Sequence, residues 1–178
     1  MIDELAVLKS VVKKLNLHKI PYMLTGSIAM SYYSIPRMTR DIDIVVEIAD
    51  VDKFYNIFKD GYYINKEMIK SSIYHKSMFN IIHLTELVKV DFIIRKDSEY
   101  RKEEFSRKKR FKLNSDFIYI VSIEDLIISK LLWAKDNRSE VQLNDVKNLL
   151  KESTDINYIK FWSAKLGIDK LLSGVLNE

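Results

Sequence analysis

Two aspartates on a short apolar segment carry the strongest chemical signal in the sequence. Asp41 and Asp43 stand in the run DIDIVV, whose β-branched residues predict a strand. Side chains alternate between the two faces of a strand, so these carboxylates project together. Neighbouring carboxylates repel unless a cation lies between them, and Mg²⁺ is held by one or two carboxylates plus substrate phosphates. The pair therefore predicts a site for Mg²⁺ or Mn²⁺.

A glycine and a serine precede these aspartates. Gly26 and Ser27 end one apolar run and open a short helical segment. Glycine lets the backbone approach a ligand closely, and the N–H groups at a helix start favour phosphate. The two features together predict a site for a metal and a triphosphate. The alternative is a plain turn with a helix cap, followed by an exposed strand end.

A third carboxylate and a lysine interrupt other apolar patterns. Asp91 lies in the run VDFII, and a buried carboxylate there needs a cation, unless it sits at an exposed strand end. Lys130 falls between Ile127 and Leu131 on the apolar stripe of a predicted helix that Ser122 caps. Its ammonium group either meets an anion in a cleft or extends along the helix to water.

The composition is typical of a globular protein and excludes several kinds of site. The 178 residues are 47% hydrophobic and 30% charged, without cysteine, which excludes disulfides, Cys-ligated zinc and thiol catalysis. No apolar run reaches the roughly 18 residues of a membrane helix, and the N-terminal segment lacks the apolar core of a signal peptide. We expect a cytoplasmic protein that does not contact the membrane.

Positive charge is concentrated in residues 95–112. This segment holds nine Lys or Arg residues against four acids, so its +5 exceeds the net charge of +4 for the whole chain. Tyr100, Phe105 and Phe111 are interleaved with the basic residues. Such a segment favours contact with RNA phosphates. A solvated hairpin is the equally weighted alternative.

Hydrophobic periodicity and turn signals predict an alternation of short strands and helices, followed by helices alone. Strands are predicted at 22–24, 41–47, 62–64, 78–84, 88–94, 110–113 and 116–121. Helices are predicted at 3–17, 27–34, 50–59, 66–75, within 97–109, from 122, and at 140–151, 155–166 and 168–176. Trp133 and Trp162, in the helical part, are predicted to be core residues.

The stretch LTGSIAMSYYSIPRMTRDIDIVV resembles the signature of the DNA polymerase β-like nucleotidyltransferase superfamily. Its second half, PRMTRDIDIVV, resembles the minimal bacterial branch that includes AbiEii-like toxins of type IV toxin–antitoxin systems. The resemblance implies an α+β fold, with a nucleotidyltransferase-like mixed β-sheet flanked by helices and then a C-terminal α-helical bundle. The predicted domains are residues 1–121, catalytic, and 122–178, helical.

The resemblance also implies an activity, the metal-dependent transfer of a nucleoside monophosphate from an NTP to an acceptor hydroxyl. The acceptor would be tRNA, if the chain is a toxin with a protein antitoxin, or a small molecule, as in antibiotic nucleotidyltransferases. A non-catalytic module that binds a nucleotide or a partner is the alternative from a different class.

Roles for individual residues follow from the same resemblance. Asp41, Asp43 and Asp91 would hold the metal, and Asp91 would also deprotonate the acceptor. Gly26, Ser27 and Lys130 would bind the triphosphate, while Arg37 and Thr39 match an Arg-x-Thr-x-Asp element that orients the loop or a phosphate. The helical segment from Asp125 to Leu150 resembles that of the same branch, which implies that Lys130 and Asp145 face the site, with Arg138 between them; the alternative for Asp145 is a surface position. The chain departs from the family at Gln142 and Leu143, where a basic residue and an aspartate are common.

Overall fold

The structure, a computed structural model, describes residues 4–34, 41–113, 116–137 and 139–177. Within these ranges the strands form one mixed sheet in the order β3-β4-β5-β2-β1-β7-β6. The strands are β1 (Tyr22–Leu24), β2 (Asp41–Val46), β3 (Tyr62–Tyr63), β4 (Met78–His83), β5 (Lys89–Ile94), β6 (Lys109–Leu113) and β7 (Asp116–Ile120).

Helices flank this sheet and make up the C-terminal part of the described chain. They are α1 (Glu4–Leu17), α2 (Gly26–Tyr33), α3 (Val51–Phe58), α4 (Lys66–His75), α5 (Glu99–Ser106), α6 (Ile123–Asn137), α7 (Glu140–Leu149), α8 (Ile156–Leu166) and α9 (Asp169–Leu176). The predicted α+β architecture is confirmed. The division into domains at residues 121 and 122 stays a prediction.

Strand pairing gives the two sheet faces different chemistry. β2 pairs in parallel with β5 and antiparallel with β1, and β4 and β5 form an antiparallel pair. Ile44 and Phe92 face one side, where Phe92 packs against Phe54 of α3 with ring centroids 5.1 Å apart. Because side chains alternate, the aspartates of β2 and β5 face the other side.

Local signals explain several helix starts. Asp50 caps α3 by accepting a hydrogen bond from the Lys53 backbone N–H at 3.0 Å. Ser122 caps α6, since its Oγ accepts from the Asp125 N–H and donates to Asp125 Oδ2. Trp162 is buried as predicted, but the prediction for Trp133 is wrong because its side of α6 faces solvent and leaves it 58% exposed.

No helix in the described part of the chain combines the length and apolar character needed to cross a membrane.

Candidate active site

The parallel pairing of β2 and β5 brings the three predicted carboxylates together. Asp43 lies directly opposite Asp91 in the register, and Asp41 lies opposite Lys89. Register partners share a face, so Asp41, Asp43 and Asp91 form one aspartate cluster on the face opposite Ile44 and Phe92. The Asp41 side chain is 50% exposed and that of Asp91 only 7%. The cluster therefore runs from the surface into the protein.

Lys89 belongs to this cluster, although the sequence analysis did not select it. Its Nζ lies 2.9 Å from Asp91 Oδ2 and 3.4 Å from Asp41 Oδ2. The signal that could have found it is its position two residues before Asp91, which places both side chains on one face of the strand. The Asp91 carboxylate raises the pKa of Lys89, so the lysine stays charged.

Asp43 occupies an electrostatically unfavourable position in the cluster. Burial raises its pKa to about 6, and repulsion from Asp91 and Asp41 adds to the effect, while the charges of Lys89 and Lys130 oppose it. A buried carboxylate beside two others is costly to ionise without a counter-charge. A bound cation would therefore favour the ionised form of Asp43.

Position 26 requires a glycine because the start of α2 lies against Asp43. Its φ of +63° lies in the left-handed region that favours glycine. A Cβ at this position would lie 2.8 Å from Asp43 Cγ, closer than side chains tolerate. The Thr25 N–H donates to the Asp43 carbonyl at 3.0 Å, which ties the turn to β2. Any other residue at position 26 would push the carboxylate aside.

The N-terminus of α2 is thereby placed beside the aspartate cluster. Gly26 and Ser27 are its first two residues, and a helix N-terminus carries partial positive charge. The N-cap residue, Thr25, makes no side-chain hydrogen bond to this end of the helix. Arg37, Thr39 and Arg138 lie outside the described residues.

Lys130 and Asp145 form a buried ion pair between α6 and α7. Lys130 Nζ lies 2.7 Å from Asp145 Oδ2 and donates to Gln142 Oε1 at 3.1 Å. The side chains are only 5% and 10% exposed, so Lys130 does not extend to water. Gln142, which departs from the family pattern, is a polar partner of the same lysine. Lys130 is close enough to Asp43 for its charge to lower the pKa of that carboxyl.

Carboxylate oxygens are hard ligands and suit Mg²⁺ or Mn²⁺. Two observations fit such an ion: Asp91 Oδ1 is buried without a hydrogen-bond partner among the described residues, and Asp43 has a raised pKa. Lys89 currently supplies positive charge to the cluster. Among the described residues, no three His, Cys, Asp or Glu side chains are arranged to hold a metal by themselves. The carboxylates could therefore supply only part of the ligand set of a metal ion.

Much of the basic segment is used within the fold. Arg101 binds Glu104, and Arg107 binds both Asp125 and Glu124. Lys108 packs on the Phe105 ring, and burial lowers its pKa. In contrast, β6 presents an exposed row, which consists of Lys109, Arg110 and Lys112. The charge available to a ligand is therefore smaller than the sequence suggests and lies at a sheet edge.

No protein-family model matches the chain, and no curated protein sequence matches it significantly.

Solved structures do match over almost the full length. The antibiotic-resistance factor ANT(2″)-Ia is similar with a TM-score of 0.65 and 10% identity, covering 95% of this chain and 94% of that one. The lincosamide antibiotic adenylyltransferase LnuA, solved with lincomycin bound, is similar with a TM-score of 0.56 and 16% identity, covering 83% of this chain and 96% of that one. An antigenic nucleotidyltransferase-like protein from Paracoccidioides brasiliensis is similar with a TM-score of 0.56 and 15% identity, covering 98% of this chain and 93% of that one. At these identities the likeness concerns the backbone, and the chain has the fold of these nucleotidyltransferases.

Proposed function

We propose that the chain is a metal-dependent nucleotidyltransferase that moves a nucleoside monophosphate from an NTP to the hydroxyl of a small-molecule acceptor. The observation that carries this proposal is the aspartate cluster, held in register on two parallel strands and faced by the Gly26 turn. An NTP donor agrees with the cytoplasmic location expected from the sequence.

Each part of the site has a role in this reaction. Asp41, Asp43 and Asp91 would hold the metal together with the triphosphate, and the metal would supply positive charge to the phosphate oxygens. Gly26 and Ser27 present the start of α2 to the triphosphate. Lys130 supplies a fixed positive charge, and Asp145 orients it. Arg37 and Thr39 keep the role implied by the family resemblance, orientation of the loop or a phosphate.

The chemical step is an in-line displacement. The acceptor oxygen forms a bond to the α-phosphorus, the bond to the bridging oxygen breaks, and pyrophosphate leaves. Asp91 accepts the proton of the acceptor hydroxyl. Positioning and charge neutralisation supply most of the rate, since phosphoryl chemistry of this kind needs little covalent help.

The acceptor class is supported by the fold neighbours and by the use of the basic segment. One of those neighbours is an antibiotic-resistance factor and another is an antibiotic adenylyltransferase, and one structure of ANT(2″)-Ia contains adenylyl-2″-tobramycin. Arg101 and Arg107 form internal ion pairs, which reduces the charge left for RNA.

A tRNA acceptor is the second candidate, favoured by the exposed basic row of β6. In the sheet order β6 lies three strands from β2, about 14 Å at the usual strand spacing, a distance that an RNA can span. In this case the chain would be a toxin restrained by a protein antitoxin.

One experiment separates these candidates. The protein is incubated with each radiolabelled NTP and Mg²⁺ or Mn²⁺, with total tRNA, tobramycin or lincomycin as acceptors. We expect a labelled small-molecule product and release of pyrophosphate from wild type. The double variant Asp41→Asn/Asp43→Asn should give neither. Labelled tRNA instead would identify the second candidate. Lack of NTP binding and turnover under all conditions would leave only the non-catalytic module.

A further inference from the structure

Lys89 supplies positive charge to the aspartate cluster from within the sheet. Its ammonium group lies within ion-pair distance of one oxygen each of Asp41 and Asp91. Both oxygens are Oδ2 atoms on the shared face of β2 and β5. A single ammonium therefore bridges the two strands at the position where the carboxylates crowd.

Asp91 depends on this contact. Its side chain is 7% exposed, and Oδ1 has no hydrogen-bond partner within the described residues. Among the described residues, Lys89 is the cation that pairs with Asp91, through Oδ2. A buried carboxylate left without a counter-charge is strongly destabilising, so a cation must stay nearby at all times.

The Lys89 side chain can also move away from the two aspartates. Its side chain is 39% exposed, and a lysine is a flexible stem that ends in a compact charge without acceptor atoms. A divalent cation at Asp41 and Asp91 would repel the ammonium group from the same oxygens. The two cations therefore exclude each other at these oxygens.

We propose that Lys89 is a built-in counter-cation, which holds Asp41 and Asp91 in the metal-free protein and competes with the divalent ion for their oxygens. This inference rests on the metal site of the proposed function. It implies that a metal ion alone binds weakly, because it must displace a cation. A metal that arrives with a triphosphate binds more tightly, because the phosphates add ligands and give the released ammonium an anionic partner.

The first test measures Mn²⁺ binding without nucleotide by electron paramagnetic resonance, together with thermal melting in EDTA and in Mn²⁺. We expect Lys89→Met to melt at a lower temperature than wild type in EDTA and to bind Mn²⁺ about tenfold more tightly. Its melting temperature should also rise more than that of wild type when Mn²⁺ is added. Lys70→Met is the matched control, because Lys70 forms an ion pair of the same 2.9 Å length with Glu67 on the surface. It should leave Mn²⁺ affinity unchanged.

Lys89→Gln replaces Lys89→Met if the latter does not fold. A second measurement uses the wild-type chain, in which amine acetylation of Lys89 is followed by mass spectrometry. We expect faster labelling with Mg²⁺ than with EDTA, and no difference at Lys70. Equal or weaker Mn²⁺ binding by the Lys89 variants, with metal-independent labelling, would overturn the inference and leave the proposed function in place. If neither wild type nor variant binds Mn²⁺, with or without NTP, the metal site is wrong and the inference fails with it.

Discussion

The protein contains two kinds of buried aspartate, and their partners differ completely. Asp125 of α6 is 0% exposed and has every oxygen bonded: Ser122 Oγ at 2.6 Å and Arg107 Nε at 3.1 Å contact Oδ2, and the Tyr158 hydroxyl donates to Oδ1 at 2.8 Å. Asp91 has a buried oxygen without a partner among the described residues, and Asp43 has a raised pKa.

This difference distinguishes an aspartate that stabilises the fold from aspartates that are available to a ligand. Asp125 joins the end of α5, the start of α6 and α8 into one network, so its charge is balanced by the fold itself. The aspartate cluster is balanced incompletely and by a lysine that can move. A buried carboxylate with unmet demand is the kind of group that a ligand satisfies. The two regions should therefore respond differently when their charges are changed.

The largest effect is expected where the cluster loses its charge. Asp41→Asn/Asp43→Asn should reduce nucleotidyl transfer at least about a thousandfold, because the metal and its charge stabilisation are lost together. It should also abolish the rise in melting temperature produced by Mg²⁺ with an NTP in wild type. Rates from product labelling and melting curves check both. Persistent transfer above a few per cent would contradict a metal role for these residues.

The structural aspartate should show the opposite profile. Asp125→Asn breaks a buried charge network and should lower the free energy of unfolding by about 4 kcal/mol. The folded fraction should bind Mn²⁺ as wild type does. Urea unfolding and Mn²⁺ titration measure the two quantities. Asp136→Asn, an exposed position on the same helix, is the control and should change stability by about 0.5 kcal/mol or less.

Lys130 lies between these two cases, because it is fully paired and yet close to the cluster. An apolar stripe alone would make methionine a neutral replacement, but Lys130→Met leaves Asp145 buried without its cation. We expect a loss of about 3 kcal/mol in stability together with weaker nucleotide binding. Lys130→Met/Asp145→Asn removes both charges and should recover stability without recovering affinity. Full nucleotide affinity in the double variant would assign Lys130 a structural role only.

The sequence predicts most of this fold because its local signals are strong. Proline, glycine and the capping residues Asp50 and Ser122 separate the elements, and the predicted and observed ends generally agree within two residues. The face shared by Asp41 and Asp43 also follows from strand geometry alone. What the pattern cannot give is the register between β2 and β5, which decides that Asp43 lies opposite Asp91 and that Lys89 reaches Asp41.

Burial is the other quantity that the pattern leaves open. Asp125 lies in the first turn of a predicted helix and Asp91 interrupts an apolar run, and only the folded structure shows that the first carboxylate is fully bonded while the second has an oxygen without a partner among the described residues. The positive charge of residues 95–112 is overestimated for the same reason, since the acids that neutralise Arg107 lie on α6, later in the chain. Partners distant in sequence decide what a charged residue does.

The smallest expected effect is the pH dependence of stability that Asp43 causes. Burial raises the pKa of Asp43 to about 6 in the folded protein, above the ordinary value of 3.8 for an aspartate. Between these values the folded state binds more protons than the unfolded state, so this group contributes stability below pH 4 that is lost as pH rises through 6. Asp43→Asn removes the titrating group and should be about 1 to 2 kcal/mol more stable than wild type at pH 7.

At pH 4 the two proteins should be nearly equal, so the measured quantity is their difference in urea unfolding between pH 4 and pH 7.5 in EDTA. Asp60→Asn, at an exposed turn, should show no such divergence. Saturating Mn²⁺ should reverse the order at pH 7, since the ion binds the charged carboxylate of wild type and has lost that ligand in the variant. If Asp43→Asn is less stable than wild type at pH 7 in EDTA, Asp43 is balanced within the fold as Asp125 is, and the distinction between the two regions fails.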